Sequence, residues 1–189
     1  MDRKLGIGVA VLAAIGLFIV GTGQQRTVRT QTAAQQAPRH AVAVIMPTEG
    51  NAAHGVVKFS QDGREVQVVA EIRGLDPGSK HGFHIHQFGD CTDLAGKSAG
   101  GHYNPKGLPH SLPPDPKRHA GDLGNLRADA SGKATLTLVV KNITIAGLRN
   151  PIIGRGIVVH AKRDDGGQPT GNAGARIGCG VIGIAKSAK

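Results

Sequence analysis

The sequence predicts an all-β domain, a sandwich or barrel of about eight short strands. Three observations predict it. Glycine supplies 29 of the 189 residues, far above the usual share of roughly 7%. Aromatic residues are only 3%, and few helical runs appear. Between turn signals, apolar and polar residues alternate, the period of a half-buried strand. Other classes are excluded. The glycines follow no three-residue period, so the chain is not collagen-like. Two cysteines are too few for a disulfide scaffold. An apolar content of 39% with strand patterning argues against disorder.

The first expected strand is Ala41 to Met46, which is β-rich and ends at Pro47. His54 to Phe59 alternates and reaches a turn at Gln61-Asp62-Gly63. Glu65 to Arg73 alternates again and ends at Gly74, with Asp76-Pro77-Gly78 as the next turn. Gly82 to Gln87 is a short strand. Leu123 to Ala128 and Ala134 to Lys141 flank a Ser131-Gly132 turn and read as a hairpin. Ile157 to Ala161 and Cys179 to Ile184 complete the set. Between Phe88 and Asp122 lies an aperiodic stretch rich in Gly, Pro, Asp and His. It is about 35 residues, far longer than ordinary connections, and such loops are normally functional or disordered.

Residues 1–40 are of a different kind. Arg3 and Lys4 precede an uncharged run from Leu5 to Val20. That run exceeds the usual signal-peptide core of about 7–15 residues and falls short of the roughly 20 that span a bilayer. Gly21 and Gly23 offer a weak cleavage site before Gln24. Residues 1–23 therefore read as a signal peptide or as an N-terminal membrane anchor. Either implies export to a periplasmic or extracellular location, and the second adds a membrane tether. Residues 24–40, rich in Gln, Thr and Ala, read as a flexible linker. The domain occupies 41–189, where 18 basic residues against 12 acidic ones leave +6 of the chain's +10. The basic residues form no cluster interleaved with aromatics, so a nucleic-acid partner is not expected. A diffuse positive field suits a small anion.

Nine histidines are many for this length. His84 and His86 stand at i and i+2 of an expected strand, so both imidazoles emerge on one face while Phe83 and Ile85 turn to the core. Alone that pattern is weak. The long loop strengthens it with His102, His110, His119 and Asp122, three imidazoles and a carboxylate that can fill a tetrahedral zinc site. A bound metal would supply the order the loop lacks. His160, on a later strand, can join His84 and His86. The competing reading is a set of solvated loop histidines. Cys91 and Cys179 read either as one disulfide tying the loop to the sheet or as two buried thiols, and export with an even count favours the bond.

Several segments then resemble the copper/zinc superoxide dismutases. They are Gly82-Phe-His-Ile-His86 with Phe88-Gly-Asp90, Gly101-His-Tyr-Asn-Pro105, Arg118-His-Ala-Gly-Asp-Leu-Gly-Asn125, Ile153-Gly-Arg-Gly-Ile-Val-Val-His160, and Gly171 to Ile182. The resemblance covers about 41–185. It implies an eight-stranded Greek-key β-barrel of the immunoglobulin-like sandwich type, with copper held by His84, His86, His102 and His160. It implies zinc held by His102, His110, His119 and Asp122, with His102 bridging the two metals and carrying a proton in the reaction. Asp164 matches the carboxylate that links a copper-binding to a zinc-binding histidine, here His84 and His110. Arg176 matches the arginine that draws in and orients superoxide, and His81 a structural histidine. The implied activity converts two superoxide anions and two protons to O₂ and H₂O₂. The alternative is a non-catalytic copper/zinc-binding module of the same fold. The segment Gly166–Thr170 departs from the eukaryotic pattern, being short and lacking an acidic pair and a lysine, so Lys162 and Arg163 are expected to supply positive field. Phe88-Gly89, Ile153-Gly154 and Gly183-Ile184 resemble the eukaryotic dimer patch, which makes a homodimer an expectation.

Overall fold

The computed structural model describes residues 37–186. The expected signal or anchor segment and most of the expected linker lie outside the described residues. Among those described, no helix is long and apolar enough to cross a membrane.

Among the described residues nine strands form: β1 His40–Pro47, β2 His54–Asp62, β3 Glu65–Arg73, β4 Lys80–Ile85, β5 Asp122–Arg127, β6 Ala134–Val140, β7 Gly156–His160, β8 Arg176–Val181 and β9 Gly183–Ile184. They pair in the order β5-β4-β7-β8-β1-β2-β3-β6, with β9 added to β1. Every ladder is antiparallel. The order skips between neighbours in sequence, since β3 pairs β6 and β4 pairs β7, which is Greek-key connectivity. The two ends of the sheet meet at the β5–β6 hairpin, where Ala128 bridges Ala134, so the barrel is nearly closed.

Alternation decides which face is inside. On β3, Val66, Val68, Ala70 and Ile72 are buried while Glu65, Gln67, Glu71 and Arg73 face solvent. Each fully buried aliphatic or aromatic side chain in this core contributes about 1.5–3 kcal/mol. β7 does not alternate and is buried throughout. Ile157 and Val159 enter the main core, whereas Val158 packs outside it with Ala99 and the Cys91–Cys179 disulfide. A strand covered on both faces has no solvent side to mark with polar residues. The bond thus pins the loop after β4 onto the outer face of β7 and β8.

The last expected strand, Cys179 to Ile184, is two strands. β8 runs from Arg176 and pairs with β7, and the chain then shifts at the buried Ile182 so that β9 pairs with β1. β1 makes the matching change: its first six residues pair with β2, while Met46 and Pro47 pair with β8.

Candidate metal centre

The histidine positions follow from this framework. Phe83 and Ile85 fill the core, so His84 emerges from the outer face of β4, under the long loop. β4 stops at Ile85 rather than at the expected Gln87, and His86 follows just past its end, in a bridge to His102. β7 lies beside β4 and ends at His160. The long loop returns across the same face: His102 bridges His86, the Tyr103 amide donates to the Ile85 carbonyl, and the Ile85 amide donates to the Gly121 carbonyl. Arg118 holds the loop's far end, donating to the carbonyls of Asp115 and Asp122.

All seven expected ligands come together, all buried, in two groups of four whose ligand atoms lie within 4.8 Å of one another. The first is His84, His86, His102 and His160; the second is His102, His110, His119 and Asp122. His102 belongs to both. In the first group the His84 and His102 ring centres are 4.0 Å apart, and His86 Nε2 is 3.3 Å from His160 Nε2. In the second, Asp122 Oδ1 lies 3.0 Å from His102 Nδ1 and 3.2 Å from His119 Nδ1, and Asp122 Oδ2 lies 3.0 Å from His110 Nδ1.

The outer nitrogens are engaged, which turns the inner ones toward the centres. His86 Nδ1 donates to the Gly100 carbonyl and His160 Nδ1 to the Gly174 carbonyl. Asp164 accepts from His84 Nε2 at 2.8 Å and from His110 Nε2 at 2.9 Å. Asp164 with these two rings also forms a compact trio, but hydrogen bonding accounts for it. Asn125 fixes Asp164 in turn, its amide bonding the Asp164 N–H and carbonyl. Gly171, with φ +75°, must be glycine: a Cβ there would lie 2.0 Å from Asp164 Oδ1 and 2.7 Å from His110 Nε2.

These donors fit two metal ions. His84 Nδ1 and His102 Nε2 are buried without a hydrogen-bond partner, an arrangement that is unfavourable unless a cation satisfies the lone pairs. Burial pulls His84 down to about 4, against its bond to Asp164, and pulls His86 to about 2 and His160 to about 3. These imidazoles are therefore neutral at physiological pH, the form that ligates. Burial also lowers His110, but contacts with Asp122 and Asp164 outweigh it and raise it to about 9. Burial alone would raise Asp122; its contacts with His102 and His110 instead hold it well below the usual carboxylate range. The second group thus pairs three imidazoles with a permanent negative charge, a zinc-type set, and the first is an all-imidazole set suited to copper.

Arg176 pairs with His160 across the β7–β8 ladder. Its guanidinium donates to the carbonyls of Gly96 and Gly100, and its charge bears on His86 and His160. His81 is buried and binds the His160 carbonyl through Nδ1, a structural contact. Asn125, Gln168 and the acceptor carbonyls of Gly100 and Gly174 were not expected from sequence. Asn125 lies inside a quoted motif, but carbonyl acceptors leave no residue-type signal.

The family described as copper/zinc superoxide dismutase (SODC) matches residues 53–182. A copper–zinc superoxide dismutase of Paramecium bursaria Chlorella virus 1 is 42% identical over 96% of each chain. An extracellular copper–zinc superoxide dismutase of Brugia pahangi is 44% identical over 76% of this chain and 75% of that one. The crystal structure of the clock protein EA4 is similar with TM-score 0.72 and 40% identity, over 78% of this chain and 96% of the other.

Proposed function

The chain belongs to the copper/zinc superoxide dismutase family, and from that premise we propose which of its residues carry the reaction. It is a superoxide dismutase that uses copper and zinc. The assignment is copper at His84, His86, His102 and His160, and zinc at His102, His110, His119 and Asp122. One observation carries it. His102 is shared by both groups, with Nδ1 beside Asp122 and His119 and a buried, unpartnered Nε2 left for the other centre.

Bound copper supplies the one-electron couple that superoxide dismutation needs, while zinc, which has no redox chemistry, holds charge and geometry. The chain's residues do the rest. Arg176 attracts the anion and orients it beside the first group. His102 Nε2 would carry the proton that the reduced dioxygen needs only while it is not engaged by copper, and the zinc-side contacts at Nδ1 keep the ring in place. Asp164 and the Gly100 and Gly174 carbonyls fix the ligand tautomers. The test is metal content with activity on the full chain: equal amounts of copper and zinc with superoxide removal are expected, and full copper occupancy without activity overturns the reading. Arg176→Ala should retain both metals and lower kcat/KM about tenfold at low salt, with a flatter dependence on ionic strength. Superoxide decay followed by stopped flow against NaCl concentration checks this, and an unchanged slope would assign steering to Lys162 and Arg163.

The quaternary reading is a homodimer. Phe88, Val181 and Ile184 are exposed, and Gly89 lies against the Gly154 carbonyl and the Val181 side chain, which brings the segments Phe88-Gly89 and Ile153-Gly154 together beside Val181. The Cys91–Cys179 disulfide and the Arg3-Lys4 leader with its apolar run support export, as a cleaved protein or one tethered by residues 1–23. Native mass spectrometry of the full expressed chain tests both. It should give a dimer that Val181→Lys converts to monomer. A start near residue 24 identifies cleavage, and the uncut chain in the membrane fraction identifies the tether. A soluble monomer that retains residue 1 overturns both readings.

A further inference from the structure

One side chain beside the metal centre belongs to neither ligand set and lies in the short segment Gly166–Thr170. Gln168, on the loop between β7 and β8, grips the main chain of His110. Its Oε1 accepts from the His110 N–H at 3.0 Å and its Nε2 donates to the His110 carbonyl at 2.7 Å. The turn that carries it is closed by two bonds: the Gly171 N–H donates to Gly167 at 2.6 Å and the Asp165 N–H to Gly171 at 3.0 Å. Asn125 grips the main chain of Asp164 in the same two-bonded way, at 2.9 and 2.8 Å. Both ends of the Asp164–His110 hydrogen bond are therefore fixed through the backbone by an amide from another element.

The two ends differ in what else holds them. Asp164 packs against Gly171, lies four residues past the end of β7 and is also held by the Gly166 N–H. His110 lies in the long loop outside any strand, and its N–H and carbonyl find their partners on Gln168. Without Gln168 the main chain at His110 would lose both of these bonds, and more of its ordering would fall at the moment a metal binds, at the expense of the binding free energy.

We propose that Gln168 is a positioning residue for zinc: by fixing the His110 main chain it aims Nδ1 at the zinc group and Nε2 at Asp164. The inference rests on the zinc assignment above. Gln168 itself touches no ligand atom.

Gln168→Met keeps the length and removes both bonds. Because residue 168 is exposed, the substitution leaves the core untouched. Zinc competition against a chelating dye should show a dissociation constant raised roughly five- to tenfold, within the range seen when partners of metal ligands are lost. Copper affinity should stay within about twofold. The visible spectrum of Co(II) bound in the zinc group should change, since it reports ligand geometry. Gln168→Asn, too short to reach both backbone groups, should fall between, and Thr170→Ala on the same loop should match the unaltered protein. Unchanged zinc affinity overturns the proposal. So does weaker zinc with an unaltered Co(II) spectrum and a lower melting temperature of the metal-free protein, which would describe general loosening. If His110→Ala binds zinc normally, the ligand assignment is at fault and this inference falls with it.

Discussion

His160→Ala should reduce superoxide removal by more than about a hundredfold while the barrel stays folded and zinc stays bound. Three imidazoles would remain in the first group, and none of the second group is altered. The fold should tolerate the change. His160 sits at the end of β7 and its Nε2 faces His86 Nε2 at 3.3 Å. With both Nδ1 atoms donating to carbonyls, these two nitrogens meet lone pair to lone pair. Removing one relieves that contact in the metal-free protein. The measurement is copper and zinc content by mass spectrometry, activity on the same sample, and metal-free melting temperature. Full activity would show that His160 holds no copper.

The sequence made the centre legible because strand geometry and loop length both signal chemistry. Two histidines at i and i+2 with Phe83 and Ile85 between them can only present both rings on one face. A loop of some 35 residues needs something to order it. β3, which alternates because one face meets water, could be read to the residue, whereas β2 runs three residues past the expected Phe59, through Gln61 and Asp62 of the expected turn. β7 was legible as an apolar run, but its outer partner Val158 was not, since only the disulfide and Ala99 give that face a core. The break at Ile182 was hidden for a related reason. Val181 and Ile182 look alike in composition, and the change of pairing partner lies in the β1 register.

What escaped the sequence is contact made through the main chain. Gly100 and Gly174 orient His86 and His160 by their carbonyls, and every residue has a carbonyl. Gly171 was visible as glycine but not as the space that Asp164 and His110 occupy. Gln168 reads as a polar loop residue until the fold brings it, 58 positions along the chain, against His110.

Asp164→Asn tests how far one carboxylate holds the two centres together, and it should cost zinc more than copper. Asp164 accepts from His84, His110 and the Gly166 N–H, all at 2.8–2.9 Å. Burial would raise this carboxyl, yet the bonds from His110, His84 and Gly166 outweigh it and hold it well below the usual range, so it is charged throughout the working pH. An amide of the same shape has one acceptor oxygen and one donor nitrogen. Whichever way it sits, one imidazole N–H meets another donor, and that ring must move its proton to the nitrogen that should ligate, or turn away. The two rings resist unequally. His84 is held by the β4 ladder on both sides, to β5 and to β7. His110 is on a loop. His110 should therefore yield, and zinc affinity should fall roughly 10- to 100-fold with the copper group largely intact. Competition titrations for each metal on the purified variant decide it. Equal losses of copper and zinc would mean that the strand gives His84 no more rigidity than the loop gives His110. An unchanged zinc affinity would mean that Asp164 does not set the His110 tautomer.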